Sequence, residues 1–275
     1  MRVILTVAVL AALMPTYTNI QAQTSSRLNV ISPLRSLCRF VDYEKNAPKE
    51  RFEFNTNFWL RGVDFSCASP WNSGGGLTRA GTLISKRHII FAKHFPLWAG
   101  VRIVFVGEDG GICPCRIAAT RGVADCDIMV ASLDYEVTPN IVPARILPND
   151  YEKHLGGCAG LTIVTLNQYE NAVIANLHSL PKQEDKFKMV SVFESRGKTR
   201  SAFTQKMTGG DSGSPAFLIV NNQPILLYCV FRGGYGSGPA LHLYRREIQA
   251  AMDELCPGYT LETFDFEKVR CDDGK

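Results

Sequence analysis

The sequence predicts an all-β protein. Short apolar or alternating runs recur between residues 51 and 231, separated by Gly, Pro, Asn and Asp, and no helix-length period lies between them. Strands spaced this way build sandwiches or barrels, whereas parallel βαβ units need a long helical crossover. The runs cover 80–85, 88–92, 101–106, 127–133, 161–166, 172–177, 189–193, 215–220 and 225–231.

One helix is expected near the end, over 244–256. Tyr244, Ile248, Ala251, Met252 and Leu255 recur at helical spacing, while Arg245, Arg246, Glu247, Gln249, Asp253 and Glu254 take the opposite face. Cys256-Pro257-Gly258 stops it. The remainder, 257–275, reads as a polar tail.

The N-terminus has a different texture. Arg2 precedes an unbroken apolar run over 3–14, then a polar stretch ending in the small residue Ala22. That is the layout of a secretory signal peptide over 1–22, cleaved near Ala22. The run is too short for a spanning helix, and nothing later could cross the membrane as one. The expected destination is outside the cell or the periplasm. Residues 23–50 then form a polar leader or arm.

Removal of residues 1–22 leaves 253 residues with a formal charge of +3, since only Arg2 is lost from a chain of +4. That length is enough for one large β domain or two smaller ones. The small charge, without a Lys/Arg cluster interleaved with aromatics, gives no support to a nucleic acid partner. Nine cysteines enter an oxidising compartment, so disulfides are expected, with at least one cysteine unpaired. Cys113-Pro-Cys115 invites a metal reading, but no second Cys or His pair follows at finger-like spacing.

The sharpest motif is Gly210-Asp211-Ser212-Gly213-Ser214-Pro215, set just before an apolar strand. Chance would supply such a match in a chain this long with a probability on the order of 10⁻⁴ to 10⁻³. A serine hydroxyl attacks a carbonyl only when a base takes its proton, and the resulting oxyanion needs backbone N–H donors. Small residues around Ser212 let the backbone turn tightly, so the N–H groups of Gly210 and Ser212 are the candidate oxyanion hole. A plain glycine-rich turn is the bland alternative.

Only five histidines can supply the base. His94 follows a strand, a tight turn, a second apolar strand and Ala92-Lys93; His88, which opens that second strand, is the rival. The orienting acid is expected at Asp127, where the apolar run Ile-Met-Val-Ala-Ser-Leu begins, with Asp125 as the neighbouring alternative. The order His94, Asp127, Ser212 is that of the chymotrypsin arrangement. An α/β-hydrolase reading fails, because Ser214 breaks G-x-S-x-G and no acid lies between Ser212 and the later His242.

These three motifs and the terminal helix resemble the chymotrypsin/trypsin-like serine protease family over about 78–255. The resemblance implies two six-stranded antiparallel β-barrels, over 51–148 and 149–243, with the site in the cleft between them and a C-terminal helix. It implies a secreted serine endopeptidase with nucleophile Ser212, base His94 and orienting acid Asp127, a protein or peptide as substrate, and no cofactor or metal. By analogy, Lys206 forms the base of the S1 pocket, with Gly233 and Ala240 in its walls. A cation there favours an acidic P1 side chain.

Two departures matter. Ser214 stands where the vertebrate digestive members carry glycine, and no Ile-Val-Gly-Gly segment is present to supply the new N-terminus that pairs with the aspartate before their serine. Asp211 is therefore expected to have another partner, and 23–50 is a candidate inhibitory or positioning segment. Two other classes stay open: a catalytically silent binding protein of the same fold, and a disulfide-stapled adhesion or structural domain.

Overall fold

The computed structural model describes residues 36–44, 51–71, 79–155, 158–197 and 200–268. The expected signal peptide, most of the arm and Cys271 lie outside them.

The protein is mostly β, with a curled half-barrel sheet and a second sheet. In chain order the strands are β1 (Thr82–Ser85), β2 (His88–Ala92), β3 (Arg102–Val106), β4 (Ile112–Gly122), β5 (Ile128–Leu133), β6 (Arg145–Ile146), β7 (Thr162–Leu166), β8 (Ala172–Ser179), β9 (Ser191–Phe193), β10 (Pro215–Val220) and β11 (Gln223–Cys229). Among the described residues two α-helices accompany them, α1 (Glu152–Leu155) and α2 (Arg245–Leu255). The first sheet has five strands in the order β1-β2-β5-β4-β3, and the second six, β6-β11-β10-β7-β8-β9. Every named pairing is antiparallel except β6 with β11.

Each of the nine expected runs contains a strand, because their apolar residues fill the interior. Leu83, Ile89, Val130, Leu133, Ile163, Val164, Phe217 and Leu226 are all sealed from solvent. Two strands had no clear signature in the sequence. In β4 the inward set is Cys113, Cys115 and Ile117, and an exposed proline and arginine alternate with it, so the period is real but chemically unusual. β6 is only two residues long.

Helix α2 buries Ile248, Ala251 and Met252 and docks on β4 and β5. Its first turn starts one residue later than the periodicity predicts, because 241–244 form a 3-10 turn. Beyond it, the stretch that reads as a polar tail buries Leu261, Phe264 and Phe266. It is held by Phe264 N–H donating to Ile146 O at 2.8 Å and Leu261 N–H donating to Gln249 Oε1 at 2.8 Å. Three apolar residues scattered among charges carry no period, so only the surface they meet reveals their role.

The described part of the arm, 36–44, is also docked. Arg39 N–H donates to Glu170 O at 3.0 Å and Ala172 N–H donates to Leu37 O at 2.9 Å, which sets the arm along the turn between β7 and β8. The Arg39 guanidinium is 2% exposed and meets Glu170, 1% exposed, at 2.7 Å. It also donates to the carbonyls of Phe65 and Ala68 at 2.8 and 3.2 Å. Removing one partner of such a pair strands a buried charge, a loss of about 3–5 kcal/mol.

The expectation of disulfides is not met among the described residues. Cys67, Cys113, Cys115, Cys126, Cys229 and Cys256 are free thiols. The sulfurs of Cys113 and Cys115 face each other at 3.9 Å, far beyond the roughly 2.05 Å of a bond. The physical reason is placement: Cys67, Cys113, Cys115 and Cys229 are buried in the core cluster as small apolar fillers.

Candidate active site

Register explains why two of the expected residues meet. β2 and β5 are antiparallel neighbours with Ala92 opposite Ile128, so the residues just after β2 and just before β5 share one end of the sheet. Those residues are His94 and Asp127. His94 Nδ1 lies 2.7 Å from Asp127 Oδ2, and the His94 backbone N–H donates to Oδ1 at 2.8 Å. Asp125, the neighbouring alternative, sits in the turn before, in the left-handed region at φ 57°.

Ser212 arrives from the second sheet, in the turn that leads into β10. Gly213 makes the approach close enough. Its backbone has φ 92°, and a Cβ there would lie 3.7 Å from the Ala92 backbone nitrogen, so the turn packs on the end of β2. Gly213 N–H donates to Val230 O and Val230 N–H to Ser214 O, both at 2.8 Å, anchoring the turn to the end of β11. His94 Nε2 is then 2.8 Å from Ser212 Oγ.

A neutral imidazole donates through one nitrogen and accepts through the other. The Asp127 oxygens accept, so Nδ1 carries the proton and Nε2 accepts from the Ser212 hydroxyl. That arrangement can draw a proton from Ser212 as it attacks an electrophile. The Asp127 side chain is 14% exposed and His94 40% exposed, so the acid is shielded while the base stays open to a ligand. The Phe231 ring stands edge-on to the imidazole with centroids 5.4 Å apart and is itself exposed, forming one wall beside His94.

The turn before Ser212 is shaped by Asp211. This side chain is buried, and its carboxylate accepts from Gln168 N–H at 3.1 Å, from Thr208 N–H at 2.6 Å and from the Thr208 hydroxyl at 3.2 Å. Asp211 therefore has a partner inside the fold, as its setting in the sequence leads one to expect. Gly210 has φ 99°, in the region that favours glycine. Among the described residues neither the Gly210 nor the Ser212 N–H has an acceptor, which leaves both donors unengaged.

The other histidines have structural settings. His88 is buried at the far end of β2 with Nδ1 2.8 Å from Ser85 Oγ, and burial lowers its pKa. His242 is buried beside Tyr151, and desolvation lowers its pKa to about 4. His154 stacks on Phe266, and His178 meets Phe193 edge-on. Of the residues expected to form a pocket, Lys206 and Gly233 are exposed and Ala240 is buried. Lys206 has no ion-pair partner among the described residues. Met207, which follows Lys206, is buried and donates its N–H to Gly234 O at 2.7 Å.

Sequence reasoning missed Gln168. It is 1% exposed, and besides holding Asp211 through its backbone it donates Nε2 to Thr208 Oγ1 and to Gly209 O, each at 3.2 Å. A glutamine in a hairpin turn carries no local signal of that role. No group of three or more His, Cys, Asp or Glu side chains suited to a metal is found among the described residues. No family model matches the chain, and no curated protein matches it.

Proposed function

We propose that the protein is a secreted serine endopeptidase of the chymotrypsin/trypsin-like family, built on two β-barrels with the site in the cleft between them. The observation that carries this reading is the continuous chain Asp127 to His94 to Ser212, with links of 2.7 and 2.8 Å across two sheets. The chain order of the three residues and the G-D-S-G-S-P motif support the same reading.

In this mechanism Ser212 Oγ attacks the scissile carbonyl while His94 Nε2 takes its proton. Asp127 keeps the imidazole in the required tautomer and stabilises the imidazolium. The N–H groups of Gly210 and Ser212 donate to the oxyanion of the tetrahedral intermediate. His94 then returns the proton to the leaving amine, an acyl-enzyme remains on Ser212, and water attacks it by the same route in reverse. Both N–H donors lack an acceptor among the described residues, which suits that role, because a donor already engaged would have to break a bond first.

The test is covalent labelling of the purified secreted protein with diisopropyl fluorophosphate, followed by mass spectrometry of the labelled peptide. Modification at Ser212 that is lost in Ser212→Ala and in His94→Ala supports the reading. A folded protein that stays unlabelled and cleaves no peptide of a random library overturns it.

A further inference from the structure

In the proposed reaction the oxyanion donors work only if the turn 208–212 is held in one shape. The family resemblance would assign that task to a newly cut N-terminus paired with the aspartate before the serine, and this chain has no such segment. The aspartate is nevertheless fully engaged. Among the described residues all three hydrogen bonds to its carboxylate come from Gln168 and Thr208, and Gln168 also ties down Thr208 and Gly209 through its side chain. The turn is thus gripped by the hairpin that joins β7 and β8.

That hairpin is in turn gripped by the arm. Glu170 lies two residues beyond Gln168, at φ 56° in the left-handed position that closes the hairpin turn, where its N–H donates to Asn167 O at 2.9 Å. The arm seals this turn: the backbone N–H of Arg39 donates to Glu170 O, and the guanidinium meets the carboxylate at 2.7 Å with both side chains buried. The second carboxylate oxygen accepts from Trp71 N–H at 3.3 Å. Trp59 Nε1 donates to Ala172 O at 2.9 Å on the other side of the turn.

We propose that residues 36–41 are a permanent positioning segment for the oxyanion turn, acting through Arg39, Glu170, Gln168 and Asp211. Arg39 and Gln168 are positioning residues: neither is among the reacting groups, and both set where the Gly210 and Ser212 N–H groups point. The arm replaces activation by a cut N-terminus, so the secreted chain is competent with this segment attached. The inference rests on the serine endopeptidase reading and deepens it.

The experiment uses the full secreted chain with a peptide substrate taken from a cleaved library member. Two variants are compared with the parent: Gln168→Glu, which keeps the shape but sets an acceptor against Gly209 O, and Arg39→Met/Glu170→Gln, which removes the buried pair without stranding a charge and keeps an acceptor for Trp71. Folding is checked by circular dichroism and thermal melting. Removing one oxyanion donor outright lowers kcat by about 10²–10³-fold, so a displaced turn is expected to lower it at least about 10-fold. KM is expected to stay within about threefold, the pH profile to keep its midpoint, and a peptide aldehyde, which needs the oxyanion hole, to weaken in parallel with kcat.

Folded variants with parental kcat overturn the inference and leave the endopeptidase reading intact. Activity that appears only after cleavage between residues 44 and 51, with loss of 36–41, also overturns it. A parent protein that neither labels at Ser212 nor cleaves peptides removes the endopeptidase reading and the inference with it.

Discussion

His94 and Asp127 are joined twice: the carboxylate accepts from the ring at 2.7 Å and from the backbone N–H of the same residue at 2.8 Å. The double contact fixes both the position of the histidine and the face its ring presents to Ser212. The backbone bond fixes the carboxylate relative to the His94 main chain, and the ring bond to that fixed carboxylate then sets the ring's orientation.

Asp127→Asn is therefore expected to retain the fold and lose the chemistry. An amide can donate to Nδ1, which moves the proton to Nε2 and turns the base away from its task. A fall in kcat of about 10⁴-fold is expected, the magnitude associated with this change in a Ser-His-Asp triad. Steady-state kinetics on a peptide substrate, with the labelling rate as a second measure, checks it.

Gly210→Ala tests the oxyanion turn from the inside. At φ 99° any L side chain is strained, and relief rotates the N–H away from Ser212. The expected result is a drop in kcat of about 10²-fold with little change in KM. Single-turnover kinetics separates the chemical step from binding.

The buried histidines make the fold acid-sensitive. His242 titrates near 4 when folded against an ordinary 6.5, because burial penalises its charged form. Below pH 6.5 the unfolded chain binds a proton that the folded one refuses, so stability falls as pH drops through the window from 6.5 to 4 and is level above it. The loss from this residue reaches about 3 kcal/mol at the low end. Thermal melting between pH 7 and pH 4.5 is expected to show a steeper decline for the parent than for His242→Leu.

The thiols of Cys67 and Cys229 are buried, and burial pushes both up to about 12. Neither is expected to react with iodoacetamide in the native state, and both are expected to react after denaturation in urea. Peptide mapping of the alkylated protein reads this directly. Alkylation of either in the folded protein would contradict the packing described here.

Lys206 stands exposed without an ion-pair partner among the described residues, so in the proposed endopeptidase, with Lys206 at the base of the pocket, its charge would favour an acidic P1 side chain. A peptide library is expected to show preference for Asp or Glu at P1, and Lys206→Ala to lower that preference about 5- to 50-fold. A basic P1 profile would rule the assignment out.

The strands were legible because alternation of apolar residues is a local property, and β2, β5 and β10 begin and end close to where the pattern does. The roles proposed for His94, Asp127 and Ser212 were legible because the chemistry demands those side chains and each stands at the end of an apolar run. β4 was not, since its inward face is built from Cys113, Cys115 and Ile117 and its outward face from Pro114 and Arg116. Nor was the burial of Leu261, Phe264 and Phe266, which depends on surfaces elsewhere in the chain, with Ile146 holding Phe264 and Gln249 of helix α2 holding Leu261.

The sequence by itself determined the β class, the terminal helix and which side chains could act together, because each rests on residue type and short-range spacing. Only the tertiary structure decided that Asp211 is held by Gln168 and Thr208, that the arm is sealed to the β7–β8 hairpin by Arg39 and Glu170, and that the described core cysteines stay as thiols. The reason is physical: each depends on which distant surfaces meet, and burial then makes an unpaired charge or polar group costly enough that its partner is fixed.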